Sequence, residues 1–200
     1  MLKQNTTVLI AISFTLFVVS AFGQSREELI EEATIPLPSN LKEGASVVYL
    51  DSGGQRQNIR EGNNGITCTT DGPEEGYVIS CTHDSWGPLT NRVRELIFTG
   101  LNLLEAQSQI NVELKEGTLL SPKIGALGNV FSGPDENDVS LVTTIFMGSA
   151  TGKSTGLPTT PSAGAWLMCS GTPQAHIMVG MPPYNLRNIP RAALCGSPPE

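Results

Sequence analysis

The sequence predicts an α+β domain in which one long amphipathic helix packs on a mainly antiparallel sheet of short strands. Several short runs of β-branched residues are separated by tight turns rich in glycine and asparagine, which is typical of antiparallel strands. One longer segment repeats apolar residues at helical spacing instead. Residues 24–200 are expected to form a single globular domain with an irregular C-terminal tail.

The first predicted element is a short helix over residues 25–33. Ser25 is placed to cap it and Glu28 follows three residues later, the pattern of a capping box. Prolines 36 and 38 end the helix. The strand-like runs come next, and they cover residues 45–50, 55–61, 66–68, 77–81, 139–147, 165–170 and 175–181. Residues 124–132 are punctuated by glycines and are predicted to be irregular.

The clearest helix is predicted over residues 89–104. Asp84 or Ser85 is expected to cap it, and Pro88 suits its first turn. Its apolar residues recur every three or four positions and form one stripe for the core: Leu89, Val93, Leu96, Ile97, Leu101 and Leu104. Three charged residues lie off the stripe and are expected on a solvated face: Arg92, Arg94 and Glu95.

Residues 1–23 have the three parts of a secretory signal peptide. A polar start with Lys3 precedes an apolar run of 12 residues, 8–19, and small residues at 21 and 23 suit cleavage after Gly23. A membrane anchor is the alternative, but spanning a bilayer takes about 20 apolar residues. The protein is therefore expected to be extracytoplasmic, either periplasmic or secreted.

The charge of the chain argues against nucleic acid as a partner. Without Lys3, 11 Lys and Arg oppose 19 Asp and Glu, a net charge of −8. An acidic protein repels phosphate backbones and anionic membrane surfaces. No second apolar run approaches membrane length, so no membrane contact is expected after cleavage.

Four cysteines, an even number, fit export because cysteines tend to pair outside the cytoplasm. They allow three connectivities, and locality favours Cys68–Cys81 and Cys169–Cys195. A metal site of Cys68, Cys81 and His83 is the alternative, but it has no compact Cys-x-x-Cys pair. No metal or cofactor is expected.

The segment FMGSATGKSTG at residues 146–156 is similar to a nucleotide-binding loop only at first sight. Three residues, not four, separate Gly148 from Gly152. Such a loop must also open a helix, and Pro158 and Pro161 argue against one. A simple loop between two strands is predicted.

His176 is the most prominent polar residue in an apolar setting. Met168, Met178 and Met181 are close to it in sequence, and thioether and imidazole ligands suit Cu(I). A core strand with one hydrogen-bonded histidine and gap-filling methionines explains the same pattern more simply.

Two further residues are candidates for acid–base chemistry. His83 precedes Asp84 at the start of the long helix, although a capping role for Asp84 explains that position equally well. Glu61 would face His176 if the segments that carry them meet in the fold.

Two segments of the chain resemble an uncharacterised family of bacterial secreted proteins. They are REGNNGITC at residues 60–68 and TGLPTTPSAGAWLMCSGTPQAHIMV at residues 155–179. Cys68 and Cys81 match an early cysteine pair of that family. A later Gly-Thr-Pro-Tyr-Ala-His motif is matched at Gly171, Thr172, Pro173, Ala175 and His176. The resemblance implies an exported protein with an early disulfide, and it implies no activity.

The chain departs from the family pattern at two positions. Gln174 replaces the expected tyrosine, and Cys169 replaces the expected tryptophan. A new cysteine at position 169, together with a lone Cys195 in the tail, supports a bond between these two. The same departures weaken any site that the family would build from its aromatic residues.

Two function classes follow. No catalytic constellation emerges from the residues, so a non-catalytic domain that binds an unidentified ligand or protein partner is favoured. The alternative is a small hydrolase that uses His176 with a carboxylate such as Glu61.

Overall fold

The protein is described by a computed structural model, which covers residues 24–51, 55–73 and 75–196. Eight strands in these ranges form one mixed sheet with the order β2-β1-β3-β4-β5-β6-β8-β7. Neighbouring strands are antiparallel except for the parallel pair β1–β3. The strands are β1 Ser46–Leu50, β2 Arg56–Arg60, β3 Ile66–Thr69, β4 Tyr77–His83, β5 Leu127–Gly133, β6 Ser140–Gly148, β7 Ala165–Met168 and β8 Ala175–Val179. The predicted sheet, mainly antiparallel with short strands, is confirmed.

Six α-helices accompany the sheet in the described residues, and a single dominant helix is not among them. The helices are α1 Arg26–Ala33, α2 Ser39–Lys42, α3 Gly87–Phe98, α4 Leu103–Glu116, α5 Gly152–Thr155 and α6 Arg191–Cys195. Helix α1 carries the predicted capping box, in which Ser25 and Glu28 exchange hydrogen bonds.

The prediction of one helix over residues 89–104 is wrong, because the chain breaks between α3 and α4. Gly100 adopts φ 102°, which a helix does not allow and which glycine tolerates best. Asn102 then starts a new helix: its side chain accepts a hydrogen bond from the Glu105 backbone N–H, and the Glu105 side chain accepts one from the Asn102 N–H. This second capping box lies within the stretch of helically spaced apolar residues, and it starts a new helix there despite that spacing.

The apolar stripe of α3 packs against α4. Leu89 and Leu96 of α3 are buried with Ala106 and Ile110 of α4 in one hydrophobic cluster. Arg92, expected on a solvated face, holds the two helices together from outside: its guanidinium donates to both oxygens of Glu113, at 2.7 to 3.1 Å.

A second cluster lies between α1 and the first strands. Cys68 and Cys81 lie directly opposite each other on β3 and β4 and form a disulfide. Ala33 at the end of α1, together with Val47 of β1, packs on the cystine. The predicted pairing of these two cysteines is therefore what the structure shows.

A third cluster ties the C-terminal part of the chain to the sheet. Cys169, just after β7, forms a disulfide with Cys195 of α6, as the sequence favours. Both cysteines are buried with Trp166 and Met178. The backbone carbonyl of Cys195 accepts a hydrogen bond from Asn111 of α4 at 2.8 Å, so the expected irregular tail is anchored as far as residue 196.

Strand β5 occupies the segment that was predicted to be irregular. It pairs with β4 on one side and β6 on the other, near the middle of the sheet. Its glycines are there for close approach: a Cβ on Gly128 would lie 2.6 Å from Thr144 Oγ1, and one on Gly133 would lie 1.7 Å from the Asp138 carbonyl oxygen. Glycine therefore marks tight strand packing here, and the prediction of an irregular segment is wrong.

Two sequence predictions fall on residues outside the described ranges. They are the predicted signal peptide, residues 1–23, and part of a predicted turn, residues 52–54. Within the described ranges, no helix has both the length and the apolar character needed to cross a bilayer.

Candidate functional site

His176 lies on β8, where its register partners are Phe146 of β6 and Met168 of β7. Its ring is partly buried, 6.2 Å from the Trp86 ring in an edge arrangement. Nδ1 lies 2.8 Å from the Gln174 carbonyl oxygen, which can only accept, so Nδ1 carries the proton. Burial lowers the pKa of His176 and the Gln174 hydrogen bond opposes this shift only in part, so the ring is neutral at neutral pH.

The three methionines near His176 in sequence differ in their burial. Met178 is buried beside Trp166 in the cluster around the second disulfide, whereas Met181 is 52% exposed. Met168 is buried in that same cluster. Among the described residues, no group of three or more His, Cys, Asp or Glu side chains is placed to hold a metal ion.

Glu61 lies far from His176. It follows β2 at one edge of the sheet, where Asn58 donates a hydrogen bond to its carboxylate. Five strands separate β2 from β8, and neighbouring strands are about 4.8 Å apart, so the two residues are on the order of 30 Å apart across the sheet. The structure does not bring this carboxylate to the histidine.

His83 takes part in a local cap. Its Nδ1 accepts a hydrogen bond from the Ser85 backbone N–H at 3.1 Å and lies 2.9 Å from Ser85 Oγ. The Ser85 hydroxyl also accepts from the Lys123 backbone N–H. His83 thus caps the 3-10 turn Asp84–Trp86, which corrects the prediction that Asp84 or Ser85 caps the helix directly. The Asp84 carboxylate accepts a hydrogen bond from the Thr67 hydroxyl.

The Gly-Lys-Ser segment forms more structure than was predicted. Thr151 caps the single helical turn α5, and Gly156 ends it in the left-handed conformation, before Pro158. One turn is too short to present a phosphate cradle of the kind that a nucleotide-binding loop supplies.

A large open cleft lies at the ends of strands β1, β3 and β4. Its volume is about 980 Å³, and helix α1, the segments after β1 and β3, and the turn after β5 form its walls. Two tyrosines, Tyr49 and Tyr77, contribute aromatic surface. Seven carboxylates line it against a single basic residue, Lys42; they are Glu28, Glu31, Glu32, Asp51, Asp71, Asp135 and Glu136.

Hydrogen bonds hold several of these carboxylates in place. Glu28 accepts from the Ser25 backbone N–H at 2.7 Å, and this bond lowers the pKa of Glu28. Asp71 accepts from the Val78 backbone N–H at 2.8 Å. The pKa of Tyr77 is raised by burial and then by the charge of Glu32 and their hydrogen bond, so its hydroxyl stays protonated. These bonds fix part of the negative charge of the cleft, and some of it lies beside Tyr77.

The sequence analysis missed this cleft because its acids come from four separate segments. Each stretch, such as EELIEE at residues 27–32 or PDEND at residues 134–138, is unremarkable as a solvated surface. Only the fold brings them to the same ends of three strands. The cleft holds seven of the 19 acidic side chains and one of the 12 basic ones, a formal charge of −6 in one place.

Comparisons with protein-family models, with curated proteins and with solved structures find no match to this chain. The resemblance to bacterial secreted proteins accordingly stays a prediction. The two disulfides of the described chain indicate an oxidising, extracytoplasmic environment.

Proposed function

We propose that this protein is a non-catalytic extracytoplasmic binding domain that takes a cationic partner in its acidic cleft. The observation that carries the proposal is the charge of the cleft: seven carboxylates against Lys42. Walls of one sign focus the electrostatic field in a cleft and attract ligands of the opposite charge.

The shape of the cleft favours a chain segment over a small ligand. Its volume of about 980 Å³ is at the upper end for small-molecule pockets, about 300–1,000 Å³, and it is open to solvent. The carboxylates are also spread along α1 and three loops, so one compact cation cannot reach them all. A lysine- and arginine-rich segment of a partner protein matches both features, and Tyr49 and Tyr77 offer ring faces to its cations.

The placement of the candidate catalytic residues also supports binding without catalysis. A hydrolase that uses His176 with a carboxylate stays a prediction, and Glu61 lies at the far side of the sheet from that histidine. Within the described ranges, the one hydrogen bond of the His176 ring goes to the Gln174 backbone carbonyl rather than to an acid.

The direct test is fluorescence anisotropy with a labelled oligo-arginine peptide. We expect binding that weakens as salt rises, because the Debye length falls to about 8 Å at physiological ionic strength. Replacing Glu31 and Glu136 by glutamine removes two charges from the cleft. At about 0.2–1 kcal/mol for each exposed charge, the affinity should fall about 2- to 30-fold.

Glutamine at Glu61 and Glu116, two acids outside the cleft lining, is the matched control and should leave the affinity unchanged. Equal losses in the two double variants would show that only net charge matters and would refute a specific site. No binding of the peptide at low salt would refute the proposal altogether.

A further inference from the structure

A second, smaller cavity lies between helix α3 and the face of β3 and β4 that points away from the Cys68–Cys81 disulfide. Its volume is about 270 Å³. From the helix it is lined by Gly87, Thr90, Asn91 and Arg94, which are spaced i, i+3, i+4 and i+7 and therefore share one helical face. This face is polar, whereas the apolar stripe of α3 turns to α4 instead.

The strand side of the cavity is a patch of hydroxyl groups. Thr67 and Thr69 flank Cys68 on β3, and Ser80 and Thr82 flank Cys81 on β4. Side chains alternate between the faces of a strand, so these four hydroxyls point away from the disulfide, towards α3. They are also register partners, Thr67 with Thr82 and Thr69 with Ser80, so the patch is continuous across both strands.

Two arginines complete the lining, against a single carboxylate, Asp84. Arg94 Nη1 is buried and has no hydrogen-bond partner among the described residues. Arg56, an exposed residue of β2, also lines the cavity. Partial desolvation of its guanidinium, followed by repulsion from the Arg94 guanidinium, lowers the pKa of Arg56. Neither guanidinium is in an ion pair within the described ranges; the salt bridges there belong to Arg92.

Some of the cavity's polar groups are already engaged, and others are not. The Thr67 hydroxyl donates to Asp84, and the Thr90 hydroxyl donates to the backbone carbonyls of Trp86 and Gly87. Thr69 and Ser80 share one hydrogen bond of 2.8 Å. Thr82 and the exposed Asn91 also line the cavity, and their side chains make no hydrogen bond with the described residues. Asp84, which is exposed, is the one carboxylate in the lining.

A helix packed on a sheet normally buries apolar side chains, and burying an unpaired guanidinium N–H is costly. A ligand that accepts hydrogen bonds and carries negative charge would remove this cost. Guanidinium groups match phosphate and sulfate in geometry because they present several donors in a fixed plane. Hydroxyl and amide donors around them suit the remaining oxygens of such an ion.

We propose that the cavity between α3 and the β3–β4 strands is a binding site for a tetrahedral oxyanion, phosphate or sulfate, held by Arg56 and Arg94 with Thr82 and Asn91. The ion is either free or the end group of a larger molecule. The site shares no lining residue with the acidic cleft, and its existence does not depend on the function proposed for that cleft.

Isothermal titration of the whole protein with inorganic phosphate and with sulfate tests the proposal, with chloride at the same ionic strength as reference. We expect one site. Arg94→Gln should weaken binding about tenfold or more, because a charge-assisted hydrogen bond is lost. Arg191→Gln, on α6 and outside the cavity, should bind like the unmodified protein. Thr82→Val should weaken binding by less than Arg94→Gln, and Thr82→Ser should restore it.

A thermal unfolding series separates ligand binding from misfolding. Without the anion, Arg94→Gln should unfold at the same or a higher temperature, because it removes an uncompensated charge. Added phosphate should raise the midpoint of the unmodified protein and not that of the variant. Absence of phosphate and sulfate binding, or equal binding by Arg94→Gln, would overturn the proposal. If glycerol phosphate binds at least as tightly as inorganic phosphate, the site takes the phosphate end group of a larger molecule. If glycerol phosphate does not bind, the site takes the free ion.

Discussion

Removal of the Cys169–Cys195 disulfide should destabilise the protein by an amount that follows from its position in the chain. The bond closes a loop with a sequence separation of 26 residues. In the chain-entropy model, a loop of that length lowers the entropy of the unfolded chain by about 12 cal/mol/K, or about 3.5 kcal/mol at 25 °C. The substitution to test is Cys169→Ala with Cys195→Ala, which leaves no buried free thiol.

The expected loss appears in both standard unfolding measurements. For a chain of this size, about 3.5 kcal/mol corresponds to a melting temperature lower by roughly 7–14 °C. Urea unfolding followed by circular dichroism should give the same free-energy difference. The Asn111 hydrogen bond to the Cys195 backbone remains in the variant, so α6 keeps an anchor on α4.

The first disulfide provides the matched comparison. Cys68–Cys81 spans 13 residues, for which the same model gives about 2.9 kcal/mol. If the double alanine variant of Cys169 and Cys195 loses less than about 1 kcal/mol, the bond does not constrain the unfolded chain and the reasoning is refuted. Reduction of the unmodified protein with dithiothreitol should reproduce the combined loss.

Further predictions concern the α3–α4 interface and pH. Leu96→Ala should lower the free energy of unfolding in urea by about 2–5 kcal/mol, because Leu96 is 7% exposed and packs with Ile110. Phe98→Ala, at an 87% exposed position, should change that free energy by less than about 0.5 kcal/mol. Similar values for both variants would contradict the packing. Because the pKa of His176 is lower in the folded than in the unfolded protein, stability should be complete above about pH 6.5 and should fall below it, by at most about 1.4 kcal/mol per pH unit. His176→Asn, which can still donate to Gln174, should remove that part of the pH dependence, and an unchanged pH profile in denaturation experiments would show that the histidine is not its source.

Local patterns predicted much of the sheet. Runs of β-branched residues marked β1 and β6, and the spacing of Cys68 and Cys81 was compatible with a hairpin. Strand β5 escaped because the glycines of residues 124–132 were interpreted as signs of irregular structure, whereas Gly128 allows close packing against Thr144 of β6, which only the neighbouring strand reveals.

The helix prediction failed for a related reason. Apolar spacing continues smoothly from α3 into α4, and the signal that interrupts it is polar and local: Gly100, followed by Asn102 and Glu105. Giving those capping residues more weight than the periodicity would have separated the two helices. Conversely, Arg94 was placed on a solvated face because the strand residues that line the same cavity are distant in sequence.

The candidate sites could not be predicted from the sequence because both are assembled from remote segments. Four acidic stretches meet at the ends of three strands to form the cleft, and a helix and three strands meet to form the smaller cavity. The residues that did stand out, His176 and His83, make hydrogen bonds that stabilise local structure.

An NMR titration of the isotope-labelled protein with an oligo-lysine peptide tests the central claim most directly. If the acidic cleft binds cationic segments, amide shifts should change with saturation at residues of its lining, such as Thr70, Gly72 and Glu136, while amides of α4 stay unchanged. Shift changes spread evenly over the acidic surface, or none at the cleft, would contradict the account.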